Sequence, residues 1–177
     1  MKKAIACILL LHISQIVSTA QVSNFPDLAY SYVKLYLFNI DESNDRPDRQ
    51  IWDDKGYAPS IKGNGKKLEK NQLILLQGIM KQDLSSLIFG LSKCFIPRHG
   101  LIYFNDKDEP IASISICFEC EKMSLYPNPY AKIKFDSTFS ELTALKQLES
   151  IRELILLSNL PVYKDVNSYK TLPKPWD

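Results

Sequence analysis

The sequence predicts an α+β domain in which an antiparallel sheet, centred on a β-hairpin at residues 101–116, is packed by two helices. The hairpin is predicted by two β-rich runs, residues 101–104 and 111–116, which flank a segment of turn-forming residues. The helices are predicted by apolar residues that recur at helical spacing over residues 66–82 and 139–158.

The hairpin also predicts which side chains come close together. Residues 105–110 are rich in Asp, Asn and Pro, which favour a turn because Asp and Asn bond to nearby backbone groups and Pro cannot donate to a ladder. A chain reversal near Lys107 places His99 opposite about residue 116 and Cys94 opposite about residue 121. The open end of the hairpin is therefore expected to gather four side chains, those of Cys94, His99, Cys117 and Cys120.

Further strands are predicted on either side of the hairpin. Residues 30–40 alternate Val and Leu with Lys, Tyr and Phe, which indicates a strand with two partly covered faces. A short strand is expected near residues 57–61, ending at the turn-like Gly-Asn-Gly of residues 63–65. Residues 123–130 are expected to form an extended or turning loop, and the alternation of residues 131–135 favours a third strand of the hairpin sheet.

The two helices differ in their local signals. The helix over residues 66–82 contains Gly78, which costs about 1 kcal/mol relative to alanine. The helix over residues 139–158 is preceded by Thr138 and Glu141 in the spacing of a capping box. The segment after it, residues 162–177, has no periodicity and is expected to be an irregular C-terminal tail.

The first 20 residues have the pattern of a secretory signal peptide. Lys2 and Lys3 precede an apolar run, and small residues end at Ala20. The chain has 22 Lys and Arg against 20 Asp and Glu, so removal of the two leader lysines leaves equal numbers. This balance does not favour nucleic acid as a partner. We expect a single exported domain over residues 21–177, periplasmic or secreted, with no membrane span after leader removal and no identifiable partner.

The cysteines of the exported chain first suggest a structural disulfide. Exported proteins meet an oxidising compartment, so neighbouring cysteines usually pair. A bond from Cys94 to Cys117 or Cys120 closes a loop of about 25 residues, worth about 3 kcal/mol in the chain-entropy model. One cysteine is then left over, and the choice of pair stays open.

Two other interpretations use the same residues. Cys94, His99, Cys117 and Cys120 together supply the ligand set of a Cys3His zinc site. Alternatively, Cys117-Phe-Glu-Cys120 is a C-x-x-C pair, and Arg98 or His99 nearby could lower the pKa of a thiol for redox or nucleophilic chemistry. Glu119 opposes thiolate formation, and the motif does not open a helix as it does in thioredoxin.

The motif residues resemble those of a known group of sequences. Cys94-Phe-Ile-Pro-Arg-His-Gly, then Tyr103-Phe, then Ile116-Cys-Phe-Glu-Cys is similar to uncharacterised exported proteins of the Bacteroidota type, with a C-x-x-P-R-H-G and C-F-E-C pattern. The resemblance covers mainly residues 94–120. It implies a secreted α+β domain and no known activity.

These observations favour a non-catalytic binding or accessory module with a structural Cys/His cluster and no cofactor. The alternative is a zinc-binding protein, or a metal-dependent or thiol-dependent enzyme that uses the same cluster. No catalytic residue is nominated, since the acids and bases elsewhere in the sequence are scattered.

Overall fold

A computed structural model describes residues 25–41, 47–88, 93–131, 141–163 and 166–170. The predicted leader lies outside these ranges, and so does the predicted strand at 131–135 except for Ala131, which lies in a turn. The elements occur along the chain in the order β1 (Tyr32–Leu37), β2 (Trp52–Asp53), β3 (Gly56–Tyr57), β4 (Lys62–Lys67), α1 (Lys70–Met80), α2 (Ser85–Ile88), β5 (His99–Phe104), β6 (Pro110–Cys117), β7 (Lys122–Tyr126), α3 (Glu141–Leu157) and α4 (Val166–Lys170).

Five strands form one sheet in the order β4-β1-β5-β6-β7, and each neighbouring pair is antiparallel. The short strands β2 and β3 form a separate hairpin. The predicted α+β class and the antiparallel sheet centred on the β5–β6 hairpin are confirmed.

Side-chain hydrogen bonds and a left-handed residue stabilise the turn of the β5–β6 hairpin. Asn105 Oδ1 accepts hydrogen bonds from the backbone N–H groups of Lys107 and Glu109, each at 2.9 Å. Asp108 takes a positive φ of 62°, a conformation that Asp and Asn tolerate better than most residues. In the resulting register His99 pairs with Ile116, as the reversal near Lys107 predicts.

One face of the sheet carries the main core. Successive strand residues point to opposite faces, so Val33, Leu35 and Leu37 of β1 lie together on this face, where they are buried. Helices α1 and α3 cover it with their apolar stripes, which agree with the predicted helical spacing. Gln72 of α1 donates from Nε2 to the Leu157 carbonyl oxygen at 3.0 Å and so ties the two helices together.

The other face of the sheet is covered by the segment that contains the β2–β3 hairpin. The fully buried Ile51 side chain packs in a second cluster with Tyr36, Phe38, Ile102 and Phe104. This segment is anchored on β6, because the Ser113 hydroxyl donates to the Trp52 carbonyl oxygen at 2.6 Å and the Ile51 N–H donates to Ser115 Oγ at 2.8 Å. Both faces of the central strands are therefore buried, which explains the apolar residues on both alternating sets of β1.

Several elements differ from the sequence prediction. The short strand expected near residues 57–61 is not formed: only Tyr57 is in a strand, at the end of β3, and residues 58–61 form a turn. Residues 63–65, expected as a turn, lie within the outer strand β4, where Gly63 and Gly65 keep positive φ values of 65° and 71°. The helix expected from residue 66 begins at Lys70, because residues 62–67 pair with β1 instead. Within the expected loop at 123–130, Lys122–Tyr126 forms β7, which pairs with β6 and ends before Pro127.

Part of the C-terminal segment is helical, and its last residues, 171–177, lie outside the described ranges. Residues 166–170 of the expected irregular tail form the short helix α4. Within the described ranges, no helix combines the length and the apolar character needed to cross a bilayer.

Candidate functional site

Cys94, Cys117 and Cys120 come from two neighbouring parts of the fold. Cys117 is the last residue of β6, and Cys120 lies in the tight turn that joins β6 to β7. Cys94 belongs to the segment that enters β5. The backbone N–H of Arg98 donates to the Ile116 carbonyl oxygen at 3.2 Å, which extends the β5–β6 pairing by one residue and brings this segment alongside Cys117.

Contacts link Cys94, Cys117 and Cys120. The Cys117 thiol lies 4.0 Å from the backbone carbonyl oxygen of Cys94 and donates to it. The Cys120 thiol has hydrogen-bonding contacts with the thiols of both Cys117 and Cys94. Cys120 is therefore the central member of a thiol cluster, which we define as Cys94, Cys117 and Cys120.

The environment of the thiol cluster disfavours a thiolate. Burial of Cys120, followed by its hydrogen bond and charge interaction with Cys117 and then with Cys94, raises the pKa of the Cys120 thiol well above its usual range. Nucleophilic and redox cysteines generally have a lowered pKa, because the thiolate is the reactive form. The pKa of the central thiol, Cys120, is thus shifted in the opposite direction from that of a reactive cysteine.

His99 lies apart from the three sulfur groups. It pairs with Ile116 and shares its face of the sheet, whereas Cys117, the next residue along β6, points to the other face. Its imidazole packs edge-on against Phe118 and Tyr169, with ring centres 5.5 and 5.9 Å away. The predicted four-residue Cys3His arrangement is therefore not formed. Among the side chains that the structure describes, no group of three or more His, Cys, Asp or Glu is arranged to hold a metal ion.

His99 instead holds the C-terminal segment against the sheet. Its Nε2 lies 2.7 Å from the Pro161 carbonyl oxygen, and since a carbonyl can only accept, Nε2 carries the proton. Burial is the main cause that lowers the pKa of His99 to about 4; the Pro161 carbonyl opposes this shift, and the charges of Arg152 and Arg98 add to it. The neutral imidazole leaves Nδ1 buried, with no hydrogen-bond partner among the described residues.

Arg98 links the β6–β7 turn, which carries Cys120, to the segment that follows β1. Its Nε lies 2.9 Å from Glu119 Oε1, and a second guanidinium nitrogen donates to the Asn39 carbonyl oxygen at 2.6 Å. The guanidinium carbon lies 5.9 Å from the centre of the Tyr169 ring. The sequence suggested Arg98 as an activator of a thiol. In the structure its guanidinium forms an ion pair with Glu119 instead.

Asn39 is a structural residue that sequence reasoning did not single out. It has a positive φ of 52°, and its side-chain Nδ2 donates to the carbonyl oxygens of Asp48 and Pro97 at 2.7 and 2.9 Å. Its Oδ1 accepts from the Asp48 N–H and from the Ser60 hydroxyl. The only sequence signal was an Asn at the end of a strand, a position where this residue often adopts a left-handed conformation.

Comparisons with known proteins supply no homologue from which a function could be transferred. No protein-family model matches the chain, and no curated protein or solved structure matches it. The similarity of residues 94–120 to exported Bacteroidota-type sequences stays a prediction.

Proposed function

We propose that this chain is an exported, non-catalytic binding or accessory domain, whose thiol cluster forms a structural disulfide between Cys94 and Cys120. The observation that carries the proposal is that Cys94 lies beside the β6–β7 turn: its carbonyl oxygen accepts from the Cys117 thiol at 4.0 Å, and its thiol interacts with that of Cys120. In an oxidising compartment two such neighbours are converted to a disulfide by exchange with a disulfide oxidant, which takes up the two electrons and is reduced to two thiols as both cysteines lose their protons. The bond would join the segment before β5 to the β6–β7 turn.

The burial of the cysteines favours this pair over the alternatives. Cys117 has only 1% of its surface exposed, whereas Cys94 is exposed and Cys120 is partly exposed, so an oxidant reaches these two first. A Cys117–Cys120 bond would close a very short loop inside one turn and would gain little chain entropy. Cys117 then acts as a small apolar core residue, which accounts for the odd number of cysteines.

The electrostatics of the site support a structural role. The raised pKa of Cys120 keeps it protonated and disfavours nucleophilic attack. Glu119 is paired with Arg98, and His99 is buried on the opposite face of the sheet, so neither is placed to act as a base toward the sulfurs. The signal-peptide pattern of residues 1–20 supports the compartment that the disulfide requires.

Disulfide mapping of the chain from Gln21 onward, produced in an oxidising compartment, tests the proposal. We expect one thiol by titration under denaturing conditions, located on Cys117, one Cys94–Cys120 disulfide, and no bound zinc. The loop of about 25 residues contributes about 3 kcal/mol, so Cys94→Ser and Cys120→Ser should each lower Tm by about 6–12 °C, and the double variant should be no less stable than either single variant.

Cys117→Ala is the matched control, since it removes a sulfur from the same cluster while leaving the disulfide in place. Two results would contradict the proposal. One is a melting temperature of Cys94→Ser equal to that of the oxidised parent. The other is a Cys117–Cys120 disulfide that opens and closes under mild reductant, which would indicate thiol redox chemistry instead.

A further inference from the structure

A groove of about 510 Å³ lies on the sheet face that is turned away from the helices, between β1, β4 and the β2–β3 hairpin. Its volume falls within the range of small-molecule sites. We call it the β1–β4 groove, and its lining includes Tyr32, Lys34, Tyr36, Tyr57, Asn64 and Asp108.

Glycines of the outer strand open this groove. Gly63 lines it, and a Cβ atom added to Gly65 would lie 2.2 Å from Cε1 of the Tyr36 ring. The Tyr36 ring therefore lies directly against the β4 backbone, in space that any side chain at Gly65 would fill. The Gly-Asn-Gly sequence, expected as a turn, thus forms part of the edge strand β4. Because Gly65 has no side chain, the backbone of this strand lies directly against the Tyr36 ring.

Aromatic rings and polar groups line the groove together. Tyr32 is stacked on Phe104, with ring centres 4.8 Å apart, and its hydroxyl donates to Asp108 Oδ1 at 2.9 Å. Tyr57 is half exposed, at 50% of its surface, so its ring is accessible to a ligand. Burial raises the pKa of Tyr36, so its phenol remains a hydrogen-bond donor at neutral pH. Sugar rings combine an apolar C–H face with a rim of hydroxyl groups, and this combination suits such a lining.

Two lysines on the same face are placed side by side. Lys34 of β1 and Lys67 of β4 are direct cross-strand partners. Like charges directly opposite each other destabilise a sheet. Lys34 Nζ donates to the uncharged Asn64 carbonyl oxygen at 3.1 Å, and Lys67 Nζ lies 4.5 Å from the centre of the Tyr32 ring, so neither of these contacts neutralises an ammonium group. An anion bound beside the pair would relieve their repulsion.

We infer that the β1–β4 groove binds an acidic saccharide, with a sugar ring stacked on Tyr57 and a sugar carboxylate held by Lys34 and Lys67. The aromatic rings supply the stacking surface, the Tyr57 phenol and the amide of Asn64 supply hydrogen bonds, and the lysine pair selects the charged sugar. This inference rests on a different part of the domain from the thiol cluster and does not depend on the disulfide.

Calorimetric titration of the chain from Gln21 onward with trigalacturonate, galactotriose and inorganic phosphate tests the inference. At low ionic strength trigalacturonate should bind at least about tenfold more tightly than the other two probes, and added salt should weaken it. Tyr57→Ala should weaken trigalacturonate binding about tenfold, which corresponds to the upper part of the range for an aromatic contact. The double variant Lys34→Gln, Lys67→Gln should reduce its affinity to that of galactotriose.

Lys81→Gln removes a lysine at the end of α1, outside the groove, and should bind trigalacturonate as the parent does. Thermal melting of each variant reports whether it is folded. Tyr57→Ala should disturb folding least, because the Tyr57 side chain is half exposed. Absence of trigalacturonate binding, equal affinity for phosphate or galactotriose, or unchanged affinity in Tyr57→Ala would overturn the inference.

Discussion

Protonation of His99 should make this domain less stable as pH falls below 6.5. The imidazole is fully buried and its pKa is lowered to about 4 in the folded state, against 6.5 in the unfolded chain. Between these values the unfolded state binds more protons, so stability is fully present above pH 6.5 and is lost as pH falls toward 4. The whole shift corresponds to about 3 kcal/mol.

The charges that face His99 strengthen this expectation. Arg152 on α3 and Arg98 beside β5 both disfavour a second positive charge, and Tyr169 and Phe118 surround the ring with aromatic surface. The loss between pH 7 and pH 5 should be about 2 kcal/mol, most of it below pH 6.5.

Urea unfolding of the parent and of His99→Gln at pH 7, 6 and 5 measures the contribution of His99 to the free energy of unfolding. Gln keeps an N–H donor for the Pro161 carbonyl oxygen but cannot take up a proton, so the free energy of unfolding of the variant should lack the His99 contribution. Subtracting the two curves removes the carboxylates common to both proteins. Parallel curves for parent and variant from pH 7 to pH 5 would refute the reasoning.

Three further substitutions test the packing. Gly78→Ala should raise the free energy of unfolding by about 1 kcal/mol, because Gly78 lies within α1 and a Cβ there would meet no atom within 4 Å. Gly100→Ala should lower it by about 1–3 kcal/mol, because the new Cβ would lie 2.4 Å from Cδ1 and 2.8 Å from Cβ of the buried Ile51; unchanged stability would show that the covering segment is loosely held. Asn39→Ala should lower the free energy of unfolding by about 3 kcal/mol, because it removes the Asn39 hydrogen bonds and places alanine in a left-handed conformation. A decrease of less than about 1 kcal/mol, measured by chemical denaturation, would contradict this prediction.

Local signals in the sequence were sufficient for the β5–β6 hairpin and for the two long helices, α1 and α3. The turn residues at 105–110 and the alternation on both sides specify β5 and β6 without reference to the rest of the chain. Strand β4 was missed because Gly63 and Gly65 have low strand propensity, and its pairing with β1 depends on a distant segment. Strand β7 was missed for a related reason, since the prolines that follow it dominate the local pattern.

The candidate site was predictable only where it depends on the hairpin. The register already implied that His99 faces Ile116, and strict alternation along β6 then places Cys117 on the other face, so the separation of imidazole and sulfur could have been read from the sequence. The partner that His99 does bind, the Pro161 carbonyl oxygen, is 62 residues away along the chain. Neither spacing nor residue type predicts such a contact.

The outer strand β4 has a consequence for how copies of this protein behave at high concentration. An edge strand exposes a row of unpaired backbone groups that can template pairing with a second chain. Here three of the six residues are lysines, two are glycines, and the register with β1 is broken by an irregularity. Positive charge and poor strand propensity together discourage fibril-like association along this edge, so a variant with Lys62, Lys66 and Lys67 replaced by threonine should precipitate at lower protein concentrations than the parent.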